Sequence, residues 1–134
     1  MTIKNNIKII GVIGSGTMGS GITAACAFCG YKTILYDIRT DIVDKAVSGI
    51  IKGLNKLVEK GKITEAKVSE TASNIIQSSV LTDFKECDLV IEAAIEDLNI
   101  KKGLFRELEQ IVQPDTILAS NTSSFSITAL STSI

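Results

Sequence analysis

Ile7-Lys8-Ile9-Ile10-Gly11-Val12-Ile13-Gly14-Ser15-Gly16-Thr17-Met18-Gly19 is a β-branched apolar run that stops at three spaced glycines. Such a run suits a strand buried on both faces of a parallel sheet, and a parallel strand needs a crossover after it, most simply a helix. Gly14 fits the tight turn out of the strand. Gly16 has no Cβ, so an anionic group can approach the backbone, and Gly19 lets the new helix lie close to the strand. The free N–H groups and positive dipole end of that helix then face whatever the turn holds, which makes it a phosphate cradle. Three glycines at this spacing also build ordinary turns, so the reading depends on their neighbours in the chain.

Those neighbours fit a dinucleotide-binding unit. Residues 17–29 predict a helix rich in small side chains (Gly21, Ala24, Ala25, Ala27), and Gly30 is a fitting stop. Lys32-Thr33-Ile34-Leu35-Tyr36-Asp37 then reads as a second strand with an acid at its carboxyl end. Asp37 falls about 20 residues past the glycines, the interval at which a βαβ unit delivers a carboxylate to an adenosine ribose. Its alternative role is a turn former or helix cap. A carboxylate there favours NAD over NADP because it repels a 2′-phosphate, while Arg39, two residues on, is a group able to accommodate that phosphate.

Residues 41–60 predict a long amphipathic helix whose apolar face includes Ile42, Val43, Ala46, Val47, Ile50, Ile51, Leu54, Leu57 and Val58. Lys45, Lys52, Lys56 and Lys60 form a basic stripe beside that face, either a solvated surface or a landing site for an anionic substrate handle. Gly49 and Gly53 each weaken the helix by about 1 kcal/mol relative to alanine and point to close approach by another segment. Gly61 closes it, and residues 64–73 form a second helix, so a helical hairpin separates strands two and three. Residues 75–80 read as the third strand, 82–86 as one helical turn, 87–94 as the fourth strand, 97–112 as a helix and 116–120 as the fifth strand.

Two polar groupings fall where ligands of open α/β sheets bind, outside the carboxyl ends of the strands. Glu96 and Lys101 come after the fourth strand; their plain reading is a helix-start carboxylate and a surface lysine. Ser120-Asn121-Thr122-Ser123-Ser124 comes after the fifth, a dense set of short hydrogen-bonding side chains that also occurs in common turns and caps.

Composition narrows the chemistry. The 134 residues are 45% hydrophobic and 22% charged with a net charge of -1, an ordinary globular composition without the electropositive excess of a dedicated nucleic-acid binder. Apolar runs are too short for a membrane span, and no signal-peptide pattern is present, so a cytoplasmic location is expected. Cys26 and Cys29 match C-x-x-C but lie deep in the predicted first helix, away from its N-terminus, and with Cys87 as the only other cysteine and no histidine a zinc site lacks ligands. They are expected to be small apolar core residues. The absence of histidine removes every mechanism in which these residues supply their own imidazole base.

Taken together, the sequence resembles the N-terminal part of the short-chain L-3-hydroxyacyl-CoA dehydrogenases, particularly the bacterial 3-hydroxybutyryl-CoA type. The carriers are the Val12 to Ile22 glycine turn, the block Asp88-Leu89-Val90-Ile91-Glu92-Ala93-Ala94-Ile95-Glu96-Asp97-Leu98 with Lys101 and Lys102, and Leu118-Ala119-Ser120-Asn121-Thr122-Ser123-Ser124. The resemblance implies an α/β, Rossmann-type doubly wound, mostly parallel sheet with the helical hairpin inserted after strand two. It further implies that Gly14, Ser15, Gly16, Thr17, Met18 and Gly19 hold the cofactor NAD, with Asp37 on its ribose and Glu96, Lys101 and Asn121 as further contacts. Ser123 matches the serine that contacts the substrate hydroxyl, and Lys60, with Lys56 on the same stripe, matches the coenzyme A site. Gly53 falls where relatives often carry a hydroxyl or amide. The implied substrate is an acyl-CoA and the implied whole protein a homodimer, with neither nucleic acid nor membrane as partner. Residues 1–134 are then an NAD-binding domain incomplete at its C-terminal end; the family's catalytic histidine, its partner glutamate and the helical dimerisation domain are expected beyond Ile134. An isolated piece of this kind is expected to expose apolar sheet edge and to self-associate.

Overall fold

A computed structural model describes residues 7–93 and 97–120. Its five strands, β1 (Ile9–Ile13), β2 (Lys32–Tyr36), β3 (Ile75–Ser78), β4 (Leu89–Glu92) and β5 (Ile117–Ser120), form one sheet in the order β3-β2-β1-β4-β5. Every pairing is parallel. The helices are α1 (Thr17–Phe28), α2 (Thr40–Glu59), α3 (Glu65–Ser73) and α4 (Leu98–Ile111), and a short 3-10 helix spans Leu81–Glu86. The first of these strands lies in the middle of the sheet, from which the chain winds outward to β3 and returns across β1 to β4 and β5. That reversal is the doubly wound pattern, and it leaves a crevice at the carboxyl ends of β1 and β4.

Period-two alternation along the strands builds two cores. Ile10, Val12 and Leu35 face Val43 of α2, with Ile22 and Cys26 of α1 packed alongside. Ile13, Ile34 and Val90 face the other way, onto Phe84 of the 3-10 helix and Leu108 of α4. Gly11 leaves room for that packing: a Cβ there would lie 3.1 Å from the Phe84 ring. A third cluster, Ile50, Leu54 and Val68 with Phe28 beside it, holds the α2–α3 hairpin against α1. Gly61, at φ +71°, reverses the chain after α2, and the Lys62 N–H donates to the Leu57 carbonyl at 2.9 Å. Thr64 caps α3 by accepting the Lys67 N–H at 3.1 Å.

Each strand is shorter than its sequence suggests, three of them beside named side chains. Asp88 Oδ2 accepts the Lys8 and Ile9 N–H groups at 2.8 and 3.0 Å, so β1 begins at Ile9 and β4 only after Asp88. Ser78 Oγ accepts the Val80 N–H at 3.2 Å and donates to Asp83 Oδ2 at 2.7 Å, which bends the chain out of β3 two residues early.

Candidate functional site

The glycine turn joins β1 to α1. Gly14 has φ +105°, a region that β-carbon-bearing residues rarely enter, and its N–H donates to the Tyr36 carbonyl at 2.8 Å. A Cβ on Gly19 would fall 1.6 Å from the Gly14 carbonyl oxygen, so the helix touches the turn through bare backbone. Above Gly16, by contrast, a Cβ would meet nothing within 4 Å. Gly16 is the N-cap of α1 and supplies no side-chain acceptor, and the first turn holds no acidic residue. The other helices compensate their positive ends: Thr64 and Glu65 at α3, Asp97 at α4, Asp41 in the first turn of α2. Among the described helices only α1 has neither a capping side chain nor an acid in its own first turn. The turn therefore fits a dinucleotide pyrophosphate, with the Thr17 and Met18 side chains exposed around it.

Asp37 stands one residue beyond β2, at the mouth of this turn. Its Oδ2 accepts the Ser15 hydroxyl at 2.9 Å and the Ser15 N–H at 3.2 Å, which fixes the carboxylate against the glycine turn. Its Oδ1 accepts the Arg39 N–H at 3.4 Å. The Arg39 guanidinium turns away onto Asp41, with contacts of 2.8 and 3.3 Å. The one basic side chain near Asp37 in sequence is thus held by another acid, and the carboxylate keeps its bias toward ribose hydroxyls over a 2′-phosphate. Burial, then the charges of Glu107 and Asp37, push the Tyr36 hydroxyl above its ordinary pKa, so this ring stays neutral beside the acid.

A cleft of about 600 Å³ runs from the turn along α2, lined by Gly16, Ser20, Lys45, Gly49, Gly53 and Leu54 among others. The expectation that Gly49 and Gly53 mark close approach by another segment is corrected here: a Cβ on either would meet nothing within 4 Å, and both instead line the open cleft. The lysine stripe divides. Lys45 faces the cleft, whereas Lys52 and Lys56 line a separate groove of about 430 Å³ with Ser48 and Asn55. Lys60 is exposed at the C-cap of α2.

At the other side of the crevice lies a residue that sequence reasoning misses. Glu92, the last residue of β4, is fully buried, and Lys101, in the first turns of α4, is only 2% exposed, so the plain reading of Lys101 as a surface lysine is overturned. The Lys101 ammonium lies 3.2 Å from Glu92 Oε1, and Ser120, the register partner of Glu92 on β5, donates its hydroxyl to the same oxygen at 2.9 Å. A partial signal is present in the sequence: an acid ending an otherwise apolar parallel strand needs a cation, but nothing in the sequence chooses between Lys101 and Lys102 on the next helix. The helix-start carboxylate is Asp97, which accepts the Asn99 and Ile100 N–H groups at 2.8 and 3.1 Å. Glu96, Asn121 and Ser123 lie outside the described residues.

The cysteines behave as free thiols. Cys26 is half-buried and its pKa is raised by burial and by Cys29; Cys87 is fully buried, and burial followed by the Asp88 charge pushes its pKa up to about 12. Cys29, expected in the core, is exposed, because it is the C-cap of α1 and faces out of the last turn. Among the described residues no group of three or more His, Cys, Asp and Glu is placed to hold a metal ion, and no helix is long and apolar enough to cross a membrane.

Comparison with known proteins agrees with this geometry. A 3-hydroxybutyryl-CoA dehydrogenase of Clostridioides difficile is 45% identical over 124 residues, 92% of this chain and 44% of the relative. A probable 3-hydroxybutyryl-CoA dehydrogenase of Deinococcus radiodurans is 48% identical over 123 residues, 91% of this chain and again 44% of the relative. The crystal structure of (S)-3-hydroxybutyryl-CoA dehydrogenase from Ralstonia eutropha superposes with a TM-score of 0.91 at 39% identity, covering 96% of this chain and 45% of that one. The chain thus spans less than half the length of each of these three. The family model for the 3-hydroxyacyl-CoA dehydrogenase NAD binding domain matches residues 9–134, and with the uncapped glycine turn, the acid at the tip of β2 and the doubly wound sheet all in place, the chain belongs to that family.

Proposed function

We propose that the whole protein uses NAD(H) to interconvert a 3-hydroxyacyl-CoA, in the first place 3-hydroxybutyryl-CoA, and the corresponding 3-oxoacyl-CoA. The observation that carries the reading is the uncapped N-terminus of α1 behind the glycine turn, with Asp37 locked beside it by Ser15. Family membership and the names of the relatives support the substrate class.

In this reading the backbone N–H groups of residues 14–19 hold the pyrophosphate and Asp37 takes the ribose hydroxyls, so the adenosine end is fixed before the reactive end is engaged. Bound NAD supplies the hydride acceptor. Lys101, Glu96 and Asn121 are further cofactor contacts, and Ser123 hydrogen-bonds the reacting oxygen. Lys60 and Lys56 are proposed to meet the anionic coenzyme A handle, and Lys45 joins them because it lines the cleft that opens onto the turn. Oxidising a secondary alcohol also requires a base for the hydroxyl proton, and these 134 residues contain no histidine. They accordingly constitute the cofactor-binding part of the enzyme, able to bind NAD with little or no turnover by themselves.

Two titrations of this chain test the proposal. Saturable NAD binding, together with tighter binding of 3-hydroxybutyryl-CoA than of free 3-hydroxybutyrate, is expected. Absence of NAD binding, or preference for the free acid, refutes it. Addition of acetoacetyl-CoA and NADH gives the second readout: robust NADH oxidation by the 134 residues would show that they hold a proton acceptor of their own.

A further inference from the structure

Only two charged residues are buried among those described, and they are paired with each other: Glu92 and Lys101. A buried ion pair is a poor device for stability alone, because desolvating both ions cancels most of their attraction and an apolar pair of similar volume does as well. The location is also unlike that of a structural brace. β4 and β5 end side by side, with Glu92 level with Ser120, and α4 brings Lys101 back over that edge, so three side chains from three elements converge at the carboxyl end of the sheet. Ligands of doubly wound sheets bind outside that end. The ammonium of Lys101 carries three donors, and among the described residues its one ionic partner is Glu92 Oε1. Glu92 therefore fixes the direction of Lys101 while leaving donors over.

The strand order decides which half of a ligand those donors meet. Asp37 and the glycine turn belong to the β1–β2 side, where the adenosine diphosphate half is expected. Lys101 belongs to the β4–β5 side, across β1. On the dinucleotide reading given above, we propose that Glu92 is a positioning residue: through its contact with Lys101, and with Ser120 steadying the same oxygen, it aims the ammonium at the nicotinamide-nucleotide half of NAD.

The test compares two ligands on one chain. NAD carries both halves and ADP only the adenosine diphosphate half, so their affinities, measured by calorimetry, separate an effect at the β4–β5 edge from a general loosening. Glu92→Gln is expected to weaken NAD binding about tenfold or more, the scale of a hydrogen bond to a charged group, and to leave ADP within about twofold. Lys101→Met is expected to weaken NAD similarly. In a Lys101→Met background, Glu92→Gln should then have no further effect on NAD, because Glu92 acts only through that lysine. The double variant buries no charge at this point, and Ser120→Ala keeps both charges while loosening the carboxylate; either keeps the test available if Glu92→Gln does not fold. Ser120→Ala should weaken NAD a few-fold and leave ADP unchanged. Equal losses for NAD and ADP, unchanged NAD binding in Glu92→Gln or Ser120→Ala, or a further loss in the double variant would each overturn the assignment. A wild-type chain that binds neither ligand would instead refute the dinucleotide reading itself.

Discussion

Gly19→Ala puts a single methyl group where the structure has no room for it. Its Cβ would sit 1.6 Å from the Gly14 carbonyl oxygen and 2.8 Å from the Gly14 carbonyl carbon, both backbone atoms. Ordinary carbon–oxygen contact needs more than about 3 Å, so α1 and the turn would have to separate by well over an ångström, against the packing of Val12, Ile22 and Val43 on that face. Overpacking of a tight contact costs about 1–3 kcal/mol, and a clash with two backbone atoms belongs at the upper end. The substitution also gains up to about 1 kcal/mol of helix propensity, which leaves a net loss of about 2 kcal/mol. Gly21→Ala is the internal control: it lies in the same helix, its Cβ would meet nothing within 4 Å, and it should gain up to about 1 kcal/mol. Urea unfolding of the two variants should therefore differ by about 3 kcal/mol, in opposite directions from wild type. NAD titration should separate them as well, because only Gly19→Ala displaces the amides of the turn. Equal stabilities for the two variants, or unaltered NAD binding in Gly19→Ala, would refute the close-approach argument.

Two further outcomes rest on named contacts. Asp41→Asn frees the Arg39 guanidinium for a 2′-phosphate; because exposed pairs are worth at most about 1 kcal/mol, NADP affinity should rise about three- to fivefold with NAD unchanged, and a constant NADP-to-NAD ratio would show that Asp41 does not restrain Arg39. The Cys87 thiol, held neutral to about pH 12 in the fold against an ordinary value of 9.0, should make stability fall as pH rises from about 9 toward 12, since the unfolded chain loses that proton first; Cys87→Ala should flatten this slope, and a thiol reagent on the native chain should label Cys29, spare Cys87 and leave NAD binding intact.

The elements are legible in the sequence because their signals are local. β-branched runs, small residues in α1, Gly30 and Gly61 after helices and Thr64 before α3 each act within a turn or two of themselves, and the order of the elements then leaves few topologies. The 14–19 turn and Asp37 are legible for the same reason, at a spacing set by one βαβ unit. The burial of Lys101 is not legible, because periodicity does not say which lysine of α4 turns inward, and its partner Glu92 belongs to another element. The hold of Ser15 on Asp37 depends on β1 and β2 lying side by side, which spacing implies but does not orient. Gly49 and Gly53 mislead because a small residue on a helix leaves space that either a neighbouring segment or an open cleft can occupy, and sequence does not tell the two apart.

The central place of β1 has a consequence for how the chain acquires its structure. Residues 9–13 are synthesised before either of their partners: one side of this strand finds its neighbour only at residues 32–36 and the other only at 89–92. No hairpin shortcut exists in an all-parallel sheet, so loop closure over long stretches precedes the pairings that reward it, and folding of such a domain is slow for its size. Until β4 arrives, Ile-Ile-Gly-Val-Ile presents an open apolar edge, the kind of segment that seeks identical copies of itself. The strand that leads into the glycine turn is thus also the one most exposed to misassembly during synthesis, and dilute, slow refolding should recover more native chain than rapid refolding at high concentration.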